Sequence, residues 1–219
     1  MPYVTSVAGG VITASWANAN IRDQVVTPWA SAATRTGGVS VPVEGMVSWL
    51  SDVKELDVYS GAAYKFIAEP NLYVSKTLDE SVTSSTALQN DDVLLLAVKA
   101  NTVVEISAVV KYRAITGGEF KCGFTGPAAA TMIWSAIGAG PGVVANSGSI
   151  NINGVADLTG SISLGAAADI NTDAICVISG LLVVSATAGT LQFQWAQRGS
   201  NGTATVVKAG SWIASRRVT

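Results

Sequence analysis

"LQFQWAQRGS", residues 191–200, alternates apolar and amide side chains before breaking into a polar turn. Successive side chains of an extended strand point to opposite faces, so Leu191, Phe193 and Trp195 share one face while Gln192 and Gln194 share the other. The first face predicts a β-core. The amide face carries neither Lys nor Glu, the residues that keep an exposed strand from pairing with strangers. Two readings stay open for it. One is the wet outer side common in antiparallel sheets; the other is a protomer contact, where uncharged amides cost less to bury than charges.

Outward from this strand the same alternation recurs in "DVLLLAVK", "TVVEISAVVKYRA", "EFKCGFTG", "ATMIWSAI", "GSININGV", "LTGSISLG", "AICVISGLLVVSA" and "TATVVKAGSWIASRRV", separated by clusters of Gly, Asn, Asp, Ser and Pro. The pattern predicts a mainly β chain whose residues 69–219 form an antiparallel β-sandwich of about eight strands, jelly-roll-like. Towards the N-terminus, Thr13 is a good N-cap for a helix over residues 14–26. Pro28 and "TRTGG" at residues 34–38 then read as its exit into a loop. In "PVEGMVSWLSDVKELDVYSGAAYKFI", residues 42–67, two short runs flank the turn "SDVKE", and "YSG" precedes a third strand. A helix and hairpin of this size bury little surface and need something to pack on. Residues 1–68 are therefore expected to be a small attachment module ahead of the sandwich.

Charged residues make up 13% of the chain, against roughly 25% in an average soluble domain. Such a surface suits assembly. Net charge is −2 and the basic residues are scattered, which leaves no footprint for nucleic acid. The longest apolar run, residues 93–98, is far short of the ~20 residues of a membrane helix. The first residues lack the basic and apolar regions of a secretory signal, so synthesis in a cytoplasm is expected.

Histidine is absent, which removes Ser-His-Asp and Cys-His arrangements and the commonest metal ligand. The adjacent acids Asp79–Glu80 and Asp91–Asp92 could serve glycoside hydrolysis or hold calcium. Both pairs sit among Ser, Thr and Asn, where solvated loop acids are the ordinary outcome. No catalytic, metal or cofactor residues are expected. Cys122 and Cys176 lack Cys-x-x-Cys spacing and read as buried free thiols, a bridge between them being the alternative. Trp134 and Trp195 read as core. Tyr112 and Trp212 are the candidate solvent-facing aromatics for stacking on a sugar.

Residues 7–25, "VAGGVITASWANANIRDQV", resemble the opening of small virion proteins of tailed bacteriophages that infect actinobacteria, through Ala8, Gly9, Val11, Ile12, Thr13, Ala14, Asn18, Arg22 and Asp23. The following stretch is similar to a short β-module of phage tail and fibre proteins at Pro42, Gly45, Leu56, Val58, Tyr59 and Gly61, with Tyr64 where Trp is commoner. The sandwich segments "GEFKCGFTGPAAATMIW", "GTLQFQWAQ" and "VVKAGSWIASRRV" resemble the C-terminal domains of minor tail or structural proteins of such phages. The resemblance implies a non-enzymatic virion protein. It is expected to be a homotrimer, a minor tail protein or a capsid decoration or head-fibre protein, with a glycan-binding host-attachment adhesin as the further alternative. Asn18 and Arg22, four apart on one helix face, would with Trp16, Gln192 and Gln194 contact other virion proteins, a local salt link of Arg22 to Asp23 or a loop acid being the alternative.

Overall fold

The computed structural model describes residues 10–15, 26–68, 71–145, 150–167, 169 and 171–218. The chain divides into two compact units, Met1–Pro70 and Asn71–Thr219. Of the expected N-terminal helix, Ala14 and Ser15 are helical, while residues 16–25, with Trp16, Asn18 and Arg22, lie outside the described residues.

The first unit is a four-stranded sheet ordered β1 (Thr27–Trp29), β2 (Val47–Leu50), β3 (Glu55–Tyr59) and β4 (Tyr64–Ala68). β1 runs parallel to β2 and the rest is the expected antiparallel meander. The loop expected at residues 34–38 is instead part of a helix, α1 (Ala32–Gly38). A capping box starts it: the Thr34 N–H donates to Ser31 Oγ at 3.2 Å and the Ser31 N–H donates to Thr34 Oγ1 at 2.9 Å. Local capping thus outweighs the poor helix propensity of Thr and Gly. Gly38 closes α1 against Trp29, where a Cβ would fall 2.5 Å from the indole.

What α1 packs on the sheet is a charge. Arg35, 5% exposed, donates to Asp57 Oδ2 at 2.7 Å and Ser48 Oγ at 2.8 Å, and its guanidinium lies 3.5 Å from the Tyr64 ring centroid. Ser48, Leu50 and Asp57 are buried beside Met46. The unit therefore has a partly ionic centre.

The second unit is a β-sandwich. Its strands are β5 (Leu72–Ser75), β6 (Glu80–Val82), β7 (Gln89–Val98), β8 (Thr102–Arg113), β9 (Phe120–Thr125) and β10 (Thr131–Ala139). They are followed by β11 (Ile150–Asp157), β12 (Ser161–Leu164), β13 (Ala174–Val184), β14 (Gly189–Ala196), β15 (Thr205–Val207) and β16 (Trp212–Arg217). One sheet contains the order β5-β16-β8-β13 and the other is β7-β14-β9-β12. That interleaving is the double Greek key of a jelly roll. β10 and β11 extend the first sheet beyond β13, and β15 and β6 add to β8. These four, β6, β10, β11 and β15, account for the excess over the eight expected.

The core lies between the sheets. Leu191, Phe193 and Trp195 are all buried, as the alternation requires. Tyr112 stacks on Phe120 at 4.4 Å, and Phe124 meets Trp134 at 5.0 Å and Phe193 at 5.4 Å. The Trp134 indole N–H donates to the Asp157 carbonyl at 2.8 Å. Cys122 on β9 and Cys176 on β13 are free, buried thiols. A hydrogen bond to Cys176 and burial push the Cys122 thiol well up, so it stays protonated.

Candidate functional site

The glutamines of β14 turn to their own chain. β14 and β7 lose register between Gln192, opposite Leu95, and Gln194, opposite Asn90. Gln192 Nε2 spans the bulge by donating to the carbonyls of Asp91 and Phe193, both at 2.8 Å. Gln194 Nε2 donates to Asn90 Oδ1 at 2.8 Å. Both glutamines are half-buried.

Tyr112 is not solvent-facing. It is fully buried in phase with Val110 and Ala108, and its hydroxyl donates to the Gly165 carbonyl at 3.1 Å. Burial pushes its phenol far above the ordinary range. The flanking Lys111 and Arg113 take the outer face, where they hold Asp173 at 3.0 and 2.7 Å. That alternation of charge, tyrosine, charge was the signal for an inward ring. Trp212, by contrast, is half-exposed and stacks on Tyr73, 61% exposed, with centroids 5.8 Å apart.

Trp212 belongs to the outer face of the first sheet. Register places it opposite Val109, Val109 opposite Val177, and Val177 opposite Ile137, an apolar row across β16, β8, β13 and β10. A second row runs Arg216, Glu105, Leu181, Ile133. Leu181 is 46% and Ile133 66% exposed. Between the rows lie Ala214, Ser107, Ser179 and Ser135. The twenty residues of β10 and β13 include no charged side chain. Glu105 is already matched by Arg216 at 2.5 Å, so the face offers few unpaired charges. The stretch "AICVISGLLVV", expected as one strand of the sandwich, is thus apolar on its second side as well.

The acid pairs are not solvated loop pairs throughout. Asp79 pairs with Lys208 and accepts from the Ala209 N–H at 2.8 Å. Glu80 and Asp91 instead close on buried Lys76. Among the described residues, no group of three or more His, Cys, Asp or Glu is placed to hold a metal, and no helix is long and apolar enough to cross a membrane.

No family model matches the chain, and no curated protein matches it. Among solved structures it is similar to the VP2 subviral particle of infectious bursal disease virus, at 11% identity and TM-score 0.20, over 71% of this chain and 43% of that one. A structure of the Gx strain of the same virus is matched at 9% identity and TM-score 0.20, over 74% and 46%. The chain thus spans less than half the length of these proteins.

Proposed function

We propose that the protein is a non-enzymatic structural component of a bacteriophage virion: a minor tail protein that attaches through residues 1–70 and presents a homo-oligomeric sandwich. The observation that carries this reading is the uncharged outer face of β10 and β13. A strand with apolar residues on both sides belongs where both sides are covered, and an exposed apolar sheet face marks an interaction surface. Five strands, β5, β16, β8, β13 and β10, at ~4.8 Å spacing and ~3.4 Å per residue give a face of about 700 Å². A standard interface takes ~800 Å² per partner. The face falls within the range of about 600–1,000 Å² per partner that standard interfaces span, and its matched charges oppose no approach of like surfaces. The sequence resemblance supplies the virion context and the threefold stoichiometry.

Mass spectrometry of purified particles tests the assignment, with copy number separating a tail component, few per particle, from a capsid decoration protein, many per particle. Light scattering on the purified full chain tests the face. The wild type is expected as an oligomer and Ile133→Lys with Leu181→Lys as a folded monomer. A wild-type monomer, or an oligomer indifferent to both lysines, removes the face from the argument; absence from particles removes the function.

The stacked pair Tyr73 and Trp212 favours a second reading, a glycan-binding adhesin, since exposed rings offer a flat apolar platform to a sugar. Retention on host-envelope glycan that is lost in Trp212→Ala would support it. No retention at millimolar glycan would end it.

A further inference from the structure

Lys76 follows β5 directly, and its backbone is fixed at both groups: its N–H donates to the Ser211 carbonyl at 2.8 Å and its carbonyl accepts from the Gly210 N–H at 2.9 Å. Its Nζ lies 2.9 Å from both oxygens of the Asp91 carboxylate and 2.7 Å from Glu80 Oε2. The three side chains are 2%, 0% and 15% exposed for Lys76, Asp91 and Glu80. An amine, a carboxyl and a second carboxylate are thus in contact where water is largely excluded. Equidistance from Oδ1 and Oδ2 sets Nζ in the plane that bisects the carboxylate, the plane that also contains Cγ.

The Asp91 carboxylate is held unevenly. Oδ1 accepts the Val93 N–H at 2.9 Å and the Leu94 N–H at 2.8 Å, inside the bulge of β7. Two backbone donors at that range form the kind of hole that stabilises a developing oxyanion. Glu80 is positioned too: Oε1 accepts from Gln89 Nε2 at 3.0 Å and Oε2 from the Asp92 N–H at 3.2 Å. Burial pulls the Lys76 ammonium down, while its bonds to Glu80 and Asp91 hold it up, with the net direction upward. The resting triad is therefore ion-paired, and the neutral amine and acid differ from it only in the position of one proton.

We propose that Lys76 and Asp91 join in an intramolecular isopeptide bond, with Glu80 as the catalytic proton carrier. Glu80 takes a proton from Nζ and delivers it to Oδ2, leaving a neutral amine and a carboxylic acid. The Nζ lone pair attacks Cγ, and the charge that develops on Oδ1 falls on the Val93 and Leu94 N–H groups. Glu80 moves a second Nζ proton to Oδ2. The Cγ–Oδ2 bond breaks, one water leaves, and a neutral amide remains in place of a cation and an anion. No oxidant or co-reactant is consumed. Holding the two groups together replaces a bimolecular condensation by a unimolecular one, and loss of two buried charges removes their desolvation cost. The product would tie β5 to β7 by a covalent link across 15 residues.

Intact mass and peptide mapping of the full chain test this. The expected wild type is lighter than its sequence by one water, with a branched peptide joining Lys76 to Asp91 and no tryptic cleavage after Lys76. Asp91→Asn is expected to lose ammonia in place of water. Glu80→Gln, nearly isosteric, is expected to keep the full mass with a wild-type circular dichroism spectrum. A wild-type chain at full mass, with linear peptides after prolonged incubation, overturns the bond. Cross-linking of Glu80→Gln at the wild-type rate overturns the role of Glu80.

Discussion

Asp57→Ala should strongly destabilise the unit Met1–Pro70 and leave the sandwich standing. Arg35 and Asp57 are both buried, 2.7 Å apart, with Ser48 Oγ and the Tyr64 ring completing the guanidinium's surroundings. Removing the carboxylate strands a cation in that place, at a cost of about 3–5 kcal/mol. A unit of this length has about 3–10 kcal/mol in all, at ~0.05–0.15 kcal/mol per residue. The substitution therefore takes between a third and the whole of its stability. Hydrogen exchange read on peptides of the full chain is the assay, because it reports each unit separately. Amides of β2 and β3 should lose roughly 100- to 4,000-fold of their protection, at a factor of ten per ~1.4 kcal/mol, while those of β8 and β13 keep theirs. The pair Arg35→Met with Asp57→Leu should regain most of the loss, since replacing both partners by apolar groups leaves no stranded charge. A loss below about fivefold in Asp57→Ala would refute the claim that this ion pair is the centre of the unit.

Tyr112→Phe, which removes only the hydroxyl donating to Gly165, should cost about 1–2 kcal/mol in urea unfolding; no loss would mean the bond is replaced by another. Burial pushes the Asp173 carboxyl up, but the bonds from Lys111 and Arg113 together outweigh it and hold the group below its usual range. Its contribution is thus present above the unfolded-state pKa of ~3.9 and is lost as pH falls through the lower folded value. Asp173→Asn should flatten the acid side of the thermal-stability profile, and an unchanged profile would exclude the effect. Cys122 and Cys176, both fully buried, should resist a thiol reagent at pH 8 in the native chain and react fully in denaturant. Rapid native labelling would contradict their burial, and no thiol in denaturant would establish a bridge.

The sandwich was legible because period-2 alternation is a direct image of a sheet with one dry side. "LQFQWAQ" placed Leu191, Phe193 and Trp195 correctly for that reason. α1 was not legible from propensity, since "AATRTGG" is rich in poor helix formers; its signal was the Ser31–Thr34 capping pair. The bonds that the amide face of β14 makes within its own chain were not legible, because a bulge in a strand distant along the chain cannot be read from alternation. Gln192 fills that bulge with its side chain.

Adjacency misled the reading of the acids in a way that physics corrects. Neighbouring residues in a strand face opposite sides, so Asp91 and Asp92 cannot form one paired site once β7 starts at Gln89. Asp91 turns inward at 1% exposure and Asp92 outward. The buried acid then needs a cation, and Lys76 supplies it across the β5–β7 connection, with Glu80 as the second carboxylate. The same argument applies to β13. Its outer residues Ile175, Val177, Leu181 and Val183 alternate with inner ones that are equally apolar. A strand that keeps no polar phase over eleven residues has no side suited to water. What could cover that second side is therefore a question posed by the residues themselves, and another copy of the chain is the occupant we propose for it.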